Sequence, residues 1–351
     1  MTETQTIAQP RSHRAIAIWL LIVAGLVFAM VLVGGATRLT DSGLSITEWK
    51  PVTGAIPPLS AEAWAEEFEK YQQIPEYTEI NHGMSLSEFK SIYFWEWGHR
   101  LLGRLIGLAF LVPFLWFLFR GAVERPRLPR LILLFLLGGS QGALGWYMVM
   151  SGLVDRVDVS QYRLAAHLGL AVLIYAALLW TALDYLRGTW GIARGPRAHR
   201  GFAIFAVFMV ALILDQILAG AFVAGLNAGF IYNTWPLMDG QLVPQGLFAD
   251  GVFRSFFEHH MTVQFVHRME AYLVLICGAG LWIMGRRLDL PVRASKAMNT
   301  LLAMIGLQIV LGIWTLLAIV PLSLGLLHQA GAVMTLSAAV YLTHLMWAKR
   351  L

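Results

Sequence analysis

The 351-residue chain is 58% hydrophobic and 13% charged, with a mean hydropathy of +0.63. Soluble domains carry about 25% charged residues, so this composition excludes a soluble globular protein and indicates an integral membrane protein surrounded by lipid. The formal charge of +5 comes from basic residues in short loops between apolar segments, a pattern of membrane orientation rather than of nucleic-acid binding. The single cysteine, Cys277, excludes an intrachain disulfide and a thiolate metal site.

Eight apolar segments are long enough to cross a bilayer as helices, which takes about 20 apolar residues. In chain order, these predicted spans are 16–37, 94–119, 131–150, 163–183, 202–224, 264–285, 297–319 and 323–346. The last two come from one uncharged stretch, which we divide at Pro321 because proline suits the turn between two helices. The predicted fold is therefore an all-α integral membrane protein with eight transmembrane helices.

Arginine and lysine occur at the chain ends and in every second connection between spans. They are Arg11, Arg14, Arg120, Arg125, Arg127, Arg130, Arg187, Arg194, Arg197, Arg200, Arg286, Arg287, Arg293, Lys296, Lys349 and Arg350. Short loops rich in basic residues stay in the cytoplasm. We therefore predict a bacterial inner (plasma) membrane protein with both termini in the cytoplasm and long loops, about 38–93 and 225–263, facing outward.

The first outer loop contains a predicted amphipathic helix. Trp64, Phe68 and Tyr71 fall at positions i, i+4 and i+7, on one face of a helix. Ser85 and Glu88 form a predicted capping box that leads into span 2. Two interpretations of the amphipathic helix are open: a lid over a site at the outer face, or a helix that rests on the lipid headgroups.

The chain divides into two related halves of four spans, which we place at 1–190 and 191–351. Each half contains, in the same order, a Gly-x5-Trp loop segment, a His-Arg pair, a Gln-x-x-Leu-Gly segment and a second histidine. These features occupy 43–49, 99–100, 141–145 and 167 in the first half, and 229–235, 267–268, 308–312 and 328 in the second. Because four spans is an even number, the two four-helix bundles are predicted to be related by a pseudo-twofold axis along the membrane normal.

Four histidines lie near the outer ends of the even-numbered spans: His99, His167, His267 and His328. Ionisable groups inside a membrane are costly and usually functional. One such histidine could simply hydrogen-bond a neighbouring helix, but four at a common depth favour a shared purpose. Imidazoles in a bundle core hold cofactors, and haem iron accepts histidine as an axial ligand. A di-iron or copper centre would need more clustered histidines or carboxylates, so we predict haem.

Three arginines near the same boundary are candidates for binding the haem propionates: Arg100, Arg104 and Arg268. Arginine pairs with a carboxylate through two parallel hydrogen bonds, which suits this purpose. Arg38 lies at a similar depth, and its alternative is to extend toward the lipid headgroups.

Three further polar positions lie outside this pattern. Asp215, deep in span 5, is either a proton relay or the partner of an interhelical hydrogen bond. Glu270 is expected to pair with an arginine near the surface. The adjacent His259 and His260 resemble a metal site, but neighbouring side chains on a helix point apart.

The two halves differ three residues before the first histidine, where Glu96 in the first half corresponds to Gln264 in the second. Residues i and i+3 share a helix face, so we predict that Glu96 faces the same pocket as His99. A carboxylate can transfer protons and an amide cannot. This difference suggests chemistry in the N-terminal half and a permanently bound haem in the C-terminal half. The alternative is that Glu96 forms a salt bridge with Arg100, one turn onward, and orders the start of span 2.

One pattern extends over the eight spans, and its residues are Glu96-x-x-His99-Arg100, His167, His267-Arg268 and His328. This pattern resembles the haem A synthase family over essentially the whole chain after the first dozen residues. Residues 256–268 are similar to its proteobacterial and mitochondrial branch. The cysteine pair found in an outer loop of some family members is absent here.

The resemblance implies an enzyme that oxidises a ring methyl of haem O to a formyl group, making haem A for terminal oxidases. It assigns His267 and His328 to a b-type haem, His99 and His167 to the substrate haem O, and Glu96 to turnover. It also implies haem O synthase, terminal oxidase assembly factors and an electron partner as protein partners.

Two alternatives come from other functional classes. A non-catalytic dihaem membrane electron carrier commonly stacks its haems across the bilayer, with two ligands on each of two helices. Here each of four helices has one histidine, and all four lie on one side of the membrane. A transporter would account for the repeat, but it gives no reason for the paired histidines.

Overall fold

The computed structural model describes residues 10–154, 157–190 and 199–347, and the regular elements in these ranges are helices. In chain order, the longer ones are α1 (Pro10–Leu39), α2 (Ala61–Tyr71), α3 (Leu86–Phe119), α4 (Leu128–Met150), α5 (Gln161–Trp190), α6 (Arg200–Gly225), α7 (Val252–Glu258), α8 (His260–Arg286), α9 (Val292–Leu317) and α10 (Leu322–Trp347). Eight of them, all except α2 and α7, are long and apolar enough to cross a membrane. The predicted all-α membrane fold with eight spans is confirmed.

The main difference from the predicted boundaries is at α3, which begins at Leu86 rather than near residue 94. The predicted capping box explains this early start. The Glu88 carboxylate accepts a hydrogen bond from the Ser85 backbone N–H at 2.8 Å, and the Ser85 hydroxyl accepts one from the Glu88 N–H at 3.4 Å. A search for apolar runs detects only the part of a helix that contacts lipid. It therefore did not detect the first turns of α3, residues 86–93, which extend beyond the predicted span.

The predicted division before the last span is also confirmed. Helix α9 ends at Leu317 and α10 begins at Leu322, one residue after Pro321. Between them, Ile319 and Val320 have φ angles of 59° and 50°, which reverses the chain direction within a few residues. Two long helices can therefore pack against each other with a very short connection.

The buried apolar residues form three clusters: one at the first outer loop, around Trp64 and Phe89, and two among the spans that follow the two halves of the chain. Of these two, one is built mainly by α1, α3, α4 and α5, the other mainly by α6, α8, α9 and α10. In both halves the first helix packs against the second and the fourth, and the third packs against the fourth. Helices α1 and α5 also contact α10, and α5 contacts α6, so the halves share an interface. The pseudo-twofold axis and the boundary at residue 190 stay predictions.

Some basic residues on the predicted cytoplasmic side make ion pairs, among them Arg127 with Glu124 and Arg130 with Asp184. Asp184 accepts hydrogen bonds from His344, at 2.9 Å, and from Arg130. Arg194, Arg197, Lys349 and Arg350 lie outside the described residues, as do the side chains of Arg11 and Arg187. The orientation in the membrane stays a prediction.

The predicted amphipathic helix in the first outer loop is α2. Its apolar residues pack against aromatic residues in the first turns of α3. The ring centroids are 5.0 Å apart for Trp64 and Tyr93 and 5.1 Å apart for Tyr71 and Phe89. Trp64 and Tyr71 are buried by these contacts. The apolar face of α2 is therefore covered by protein, which is not the arrangement of a helix resting on lipid headgroups.

Candidate haem sites

The four predicted histidines form two pairs, one in each half. The ring centroids of His99 on α3 and His167 on α5 are 6.5 Å apart, and the ring planes cross at 78°. The corresponding values for His267 on α8 and His328 on α10 are 6.4 Å and 86°. All four side chains are half-buried, as expected of groups that line a space between helices.

The spacing of each pair fits two axial ligands of one haem iron. A metal–imidazole bond is about 2.0 Å long and the ring centre lies about 1.1 Å behind the bonding nitrogen, so two imidazoles on opposite sides of one metal have centres about 6 Å apart. No group of three or more potential ligands among His, Cys, Asp and Glu occurs in the part of the chain that the structure describes. Two histidines per site match the two axial positions of a haem iron.

Each histidine ring lies against a glycine of a neighbouring odd-numbered span. A Cβ atom placed on these glycines would lie close to the ring: Gly34 at 3.3 Å from His99 Nε2, Gly145 at 2.9 Å from His167 Cε1, Gly220 at 3.1 Å from His267 Cε1 and Gly312 at 2.9 Å from His328 Cε1. Distances near 3 Å are shorter than van der Waals contact, so a side chain there would displace the imidazole. Glycine is therefore required by the close approach of helix and ring.

Three of the histidines are also contacted by a glutamine. Each glutamine lies four residues before the glycine that contacts the same ring. The amide nitrogens lie near Nδ1 and donate to the backbone carbonyl of the same histidine, at 3.1 and 2.9 Å for Gln141 with His167, 3.0 and 3.1 Å for Gln216 with His267, and 3.0 and 2.8 Å for Gln308 with His328. The sequence repeat contained Gln141 and Gln308 but not Gln216. The spacing Gln-x-x-x-Gly, present at 216–220, is the signal that would have found it.

Glu96 is buried at the outer end of α3 and is fully engaged by its surroundings. One carboxylate oxygen accepts a hydrogen bond from Arg100 at 2.6 Å. The other accepts from the Ser45 hydroxyl at 2.8 Å and from the Ile46 backbone N–H at 2.7 Å. The salt bridge with Arg100 is the contact expected from the alternative interpretation of Glu96, whereas the two contacts with the first outer loop were not predicted.

Gln264 occupies the same position in the second half with the opposite hydrogen-bonding polarity. Its amide nitrogen donates to the backbone carbonyls of Ala228 and Ile231, at 2.8 and 2.5 Å. Its amide oxygen accepts from Arg268 at 2.9 Å. Both side chains therefore connect an outer loop to the arginine that follows the histidine.

The three arginines predicted to bind propionates all donate to backbone carbonyls of the outer loops. The acceptors are Ile46 and Glu48 for Arg100, Lys50 and Pro51 for Arg104, and Tyr232 and Thr234 for Arg268. Nη1 of Arg104 and Nε of Arg268 are buried without a partner among the described residues, so each retains a donor for an anion. Arg100 and Arg104 also line a cavity beside α2.

The remaining candidates are not part of the histidine pairs. Arg38 donates to Asp41 and Asn227, both at 2.8 Å, and so joins the outer loops of the two halves. Glu270 lies beside Asp215, so its neighbour is an acid and not the arginine expected as its partner.

The adjacent residues His259 and His260, at the end of the outer loop 225–263, have separate surroundings. The Nδ1 atom of His259 lies 3.0 Å from the Thr262 hydroxyl, and His260 is exposed. Neither belongs to a cluster of three potential metal ligands within the described ranges. The structure gives no support for a metal site at these two residues.

Fold and site together define a multi-pass membrane protein with two histidine pairs, each spaced for one haem iron. Residues 17–340 match the family described as cytochrome oxidase assembly protein, and the chain belongs to this family.

Its relatives include proteins named "Heme A synthase". The protein of Parvibaculum lavamentivorans is 58% identical over 334 residues, covering 95% of this chain and 94% of the relative. That of Nitrosospira multiformis is 52% identical over 333 residues, covering 95% and 93%. That of Bradyrhizobium sp. ORS 278 is 51% identical over 338 residues, covering 95% and 92%. These alignments include both histidine pairs within one continuous similarity.

Proposed function

We propose that this chain is a haem A synthase, which oxidises a ring methyl of haem O to a formyl group and so makes haem A for terminal oxidases. The observation that carries the proposal is the duplicated histidine pair, with ring centroids 6.5 and 6.4 Å apart. A protein that converts one haem with the help of another needs two haem sites of the same kind in one bundle. The similarity to proteins named "Heme A synthase" agrees with this conclusion.

In this proposal His267 and His328 hold a b-type haem, and His99 and His167 bind the substrate haem O. Haem b, when bound, supplies a one-electron carrier for electrons that leave the substrate. The assignment of the halves rests on the acid at Glu96 and the amide at Gln264. Arg100, Arg104 and Arg268 lie near the outer ends of the sites, and the unpartnered nitrogens of Arg104 and Arg268 suit propionate binding.

The reaction requires two successive oxidations of the same methyl carbon. Written with water as the oxygen source, the first adds a hydroxyl group and releases two electrons and two protons, which gives an alcohol. The second adds another hydroxyl group and releases two more electrons and two more protons, which gives a hydrated aldehyde that loses water to become the formyl group. The electrons leave toward the electron partner. The task of this chain is to hold the substrate in one orientation through both steps, because the same carbon must be reached twice. Two imidazole contacts and an arginine contact supply that orientation.

Glu96 is the acid that turnover requires in this proposal. Its two oxygens are bound by Arg100, Ser45 and Ile46. This arrangement favours an action through Arg100 and the first outer loop, which line the cavity beside α2. Direct proton transfer from Glu96 to the substrate is the alternative, and the two differ in their pH dependence.

The protein is proposed to lie in the inner membrane with both termini in the cytoplasm and both haem sites toward the outer face. The positive-inside distribution of arginine and lysine supports this orientation. Its proposed partners are haem O synthase, which would supply the substrate, terminal oxidase assembly factors, which would receive the product, and an electron partner.

The deciding experiment is pigment extraction from protein purified from cells that make haem O. We expect haem B together with haem O or haem A, and we expect haem A to form only when the protein is present. His99→Ala is the matched control, and it should retain haem B alone. A wild-type protein that carries haem B in both sites and makes no haem A would instead be a dihaem electron carrier.

A further inference from the structure

Spans 1, 3, 5 and 7, which are helices α1, α4, α6 and α9, each have a glycine that lies against one histidine ring. The residue four positions before that glycine differs among the four helices. It is Gln141 in α4, Gln216 in α6 and Gln308 in α9, but Met30 in α1. Met30 and Gly34 are spaced like Gln216 and Gly220, so Met30 stands where the second half has a glutamine. His99 is therefore the one histidine of the four without this support.

The glutamines restrain their histidines at two points. Each amide nitrogen donates to the backbone carbonyl of its histidine and lies against the imidazole, 3.0–3.1 Å from Nδ1 and, for His167 and His267, 3.4 Å from Nε2. Rotation of the imidazole would break these contacts. A neighbour that restrains the ring of a metal ligand typically strengthens metal binding.

His99 has a different environment. It makes no side-chain hydrogen bond to the described part of the chain, and its Nε2, rather than Cε1, lies against the neighbouring glycine, Gly34. A thioether is only a weak acceptor and donates nothing, so Met30 cannot replace the amide. The Met30 methyl group instead packs near Gly103, one turn beyond His99 on α3. Nothing among these contacts fixes the rotation of the His99 ring.

We propose that Met30 is a specificity-determining residue that makes His99 a releasable ligand, so that the N-terminal site exchanges its haem while the C-terminal site retains its own. This inference rests on the proposed function, in which one haem is substrate and the other is resident. A resident haem needs two ligands in fixed positions, and Gln216 and Gln308 fix the positions of His267 and His328. A substrate haem must enter and its product must leave, which one fixed and one unrestrained ligand allow.

The test is a reciprocal exchange of the two side chains, Met30→Gln and Gln216→Met, in the full-length protein. Purified protein loaded with haem is mixed with excess apomyoglobin, and the haem type lost is followed by pigment analysis. Changing a partner that orients a metal ligand typically alters metal affinity about 10–100-fold. We expect Met30→Gln to slow the loss of haem O or haem A by about that factor, and Gln216→Met to accelerate the loss of haem B equally.

Two controls keep the result interpretable. Met30→Leu has similar volume without sulfur or amide and should exchange haem like wild type; slow exchange in this variant would show that sulfur controls release and would overturn the proposal. Gln308→Met examines the other ligand of the same haem if Gln216→Met folds poorly. Unchanged exchange in Met30→Gln, with the low-spin haem spectrum intact, would also overturn it. Absence of haem A from wild-type cells would contradict the proposed function instead.

Discussion

At the outer ends of α3 and α8, one side chain, Glu96 or Gln264, connects an outer loop to the arginine four residues later. The two side chains differ in whether they accept hydrogen bonds from the loop or donate to it. Glu96 accepts hydrogen bonds from a hydroxyl and a backbone N–H, whereas Gln264 donates to two backbone carbonyls. The loop conformation thus decides whether an acid or an amide fits. Both buried carboxylates of the described chain, Glu76 and Glu96, belong to the N-terminal half. The difference between the halves therefore includes the presence of buried acids as well as the polarity of these loop contacts.

The largest expected effect separates the two haem sites. His267→Ala or His328→Ala should remove the tightly bound haem B, because one axial ligand of a resident haem is lost. His99→Ala or His167→Ala should leave the haem B spectrum largely intact. The measurement is the pyridine haemochrome content per mole of purified protein. Loss of the haem B spectrum in the N-terminal variants alone would show that the halves are assigned the wrong way round.

The next prediction exchanges the acid and the amide at the outer ends of α3 and α8. Glu96→Gln should lower haem A formation per folded molecule at least about 10²-fold, the cost of a misplaced or missing acid. The new amide would have to place an N–H₂ group against Arg100 or against the Ile46 N–H, both of which are donors. The measurement is haem A per mole of folded protein across a range of pH.

Gln264→Glu is the matched control for Glu96→Gln. It places a carboxylate against the carbonyls of Ala228 and Ile231, so the yield of folded protein should fall while activity per folded molecule is retained. Activity of Glu96→Gln within a few-fold of wild type would contradict a role in turnover. A changed pH profile would favour direct proton transfer, and a uniform loss at every pH would favour action through Arg100.

Much of this architecture follows from the sequence because lipid imposes a simple rule: about 20 apolar residues per span, with basic residues on one side. The histidine pairs were predictable for the same reason, since few polar groups are found at that depth. The salt bridge between Glu96 and Arg100 was also predictable, from their i, i+4 spacing. The contacts of Glu96 with Ser45 and Ile46 were not, because no periodicity encodes the position of a loop residue. Gln216 was missed because the repeat was compared only where both halves matched, and α1 has Met30 instead.

A third prediction uses the glycines that contact the histidine rings. Gly145→Ala would place a Cβ 2.9 Å from His167 Cε1, and Gly312→Ala would do the same to His328. Overpacking costs about 1–3 kcal/mol, so haem affinity at the affected site should fall about 5–150-fold. Gly145→Ala should affect the substrate haem only, and Gly312→Ala haem B only.

Gly142→Ala and Gly306→Ala are the controls for the third prediction, because a Cβ at these positions meets nothing within 4 Å in the same two helices. Haem titration followed by absorbance measures the affinity of each variant. Equal losses in test and control variants would show that a general effect of the added methyl group, and not contact with the ring, determines the result.

The smallest expected effect concerns the other buried acid of the N-terminal half. Glu76, in the first outer loop, accepts a hydrogen bond from Tyr71 at 3.1 Å, and burial raises the pKa of its carboxyl group to about 8. An acid whose pKa is raised in the folded state stabilises the fold at pH values below its unfolded pKa, near 4.5, and this stability is lost as the pH rises toward 8. The first outer loop should therefore become easier to open over this pH range.

Limited proteolysis within the first outer loop measures that opening. Cleavage should be faster at pH 8.5 than at pH 6 beyond the change in protease activity, and Glu76→Gln should remove the dependence because an amide stays neutral. Glu79→Gln alters an exposed acid of the same segment and should keep it. Because the C-terminal half contains no buried acid among its described residues, its outer loop should show no such change. Equal pH dependence in both loops would mean that Glu76 does not control the first one.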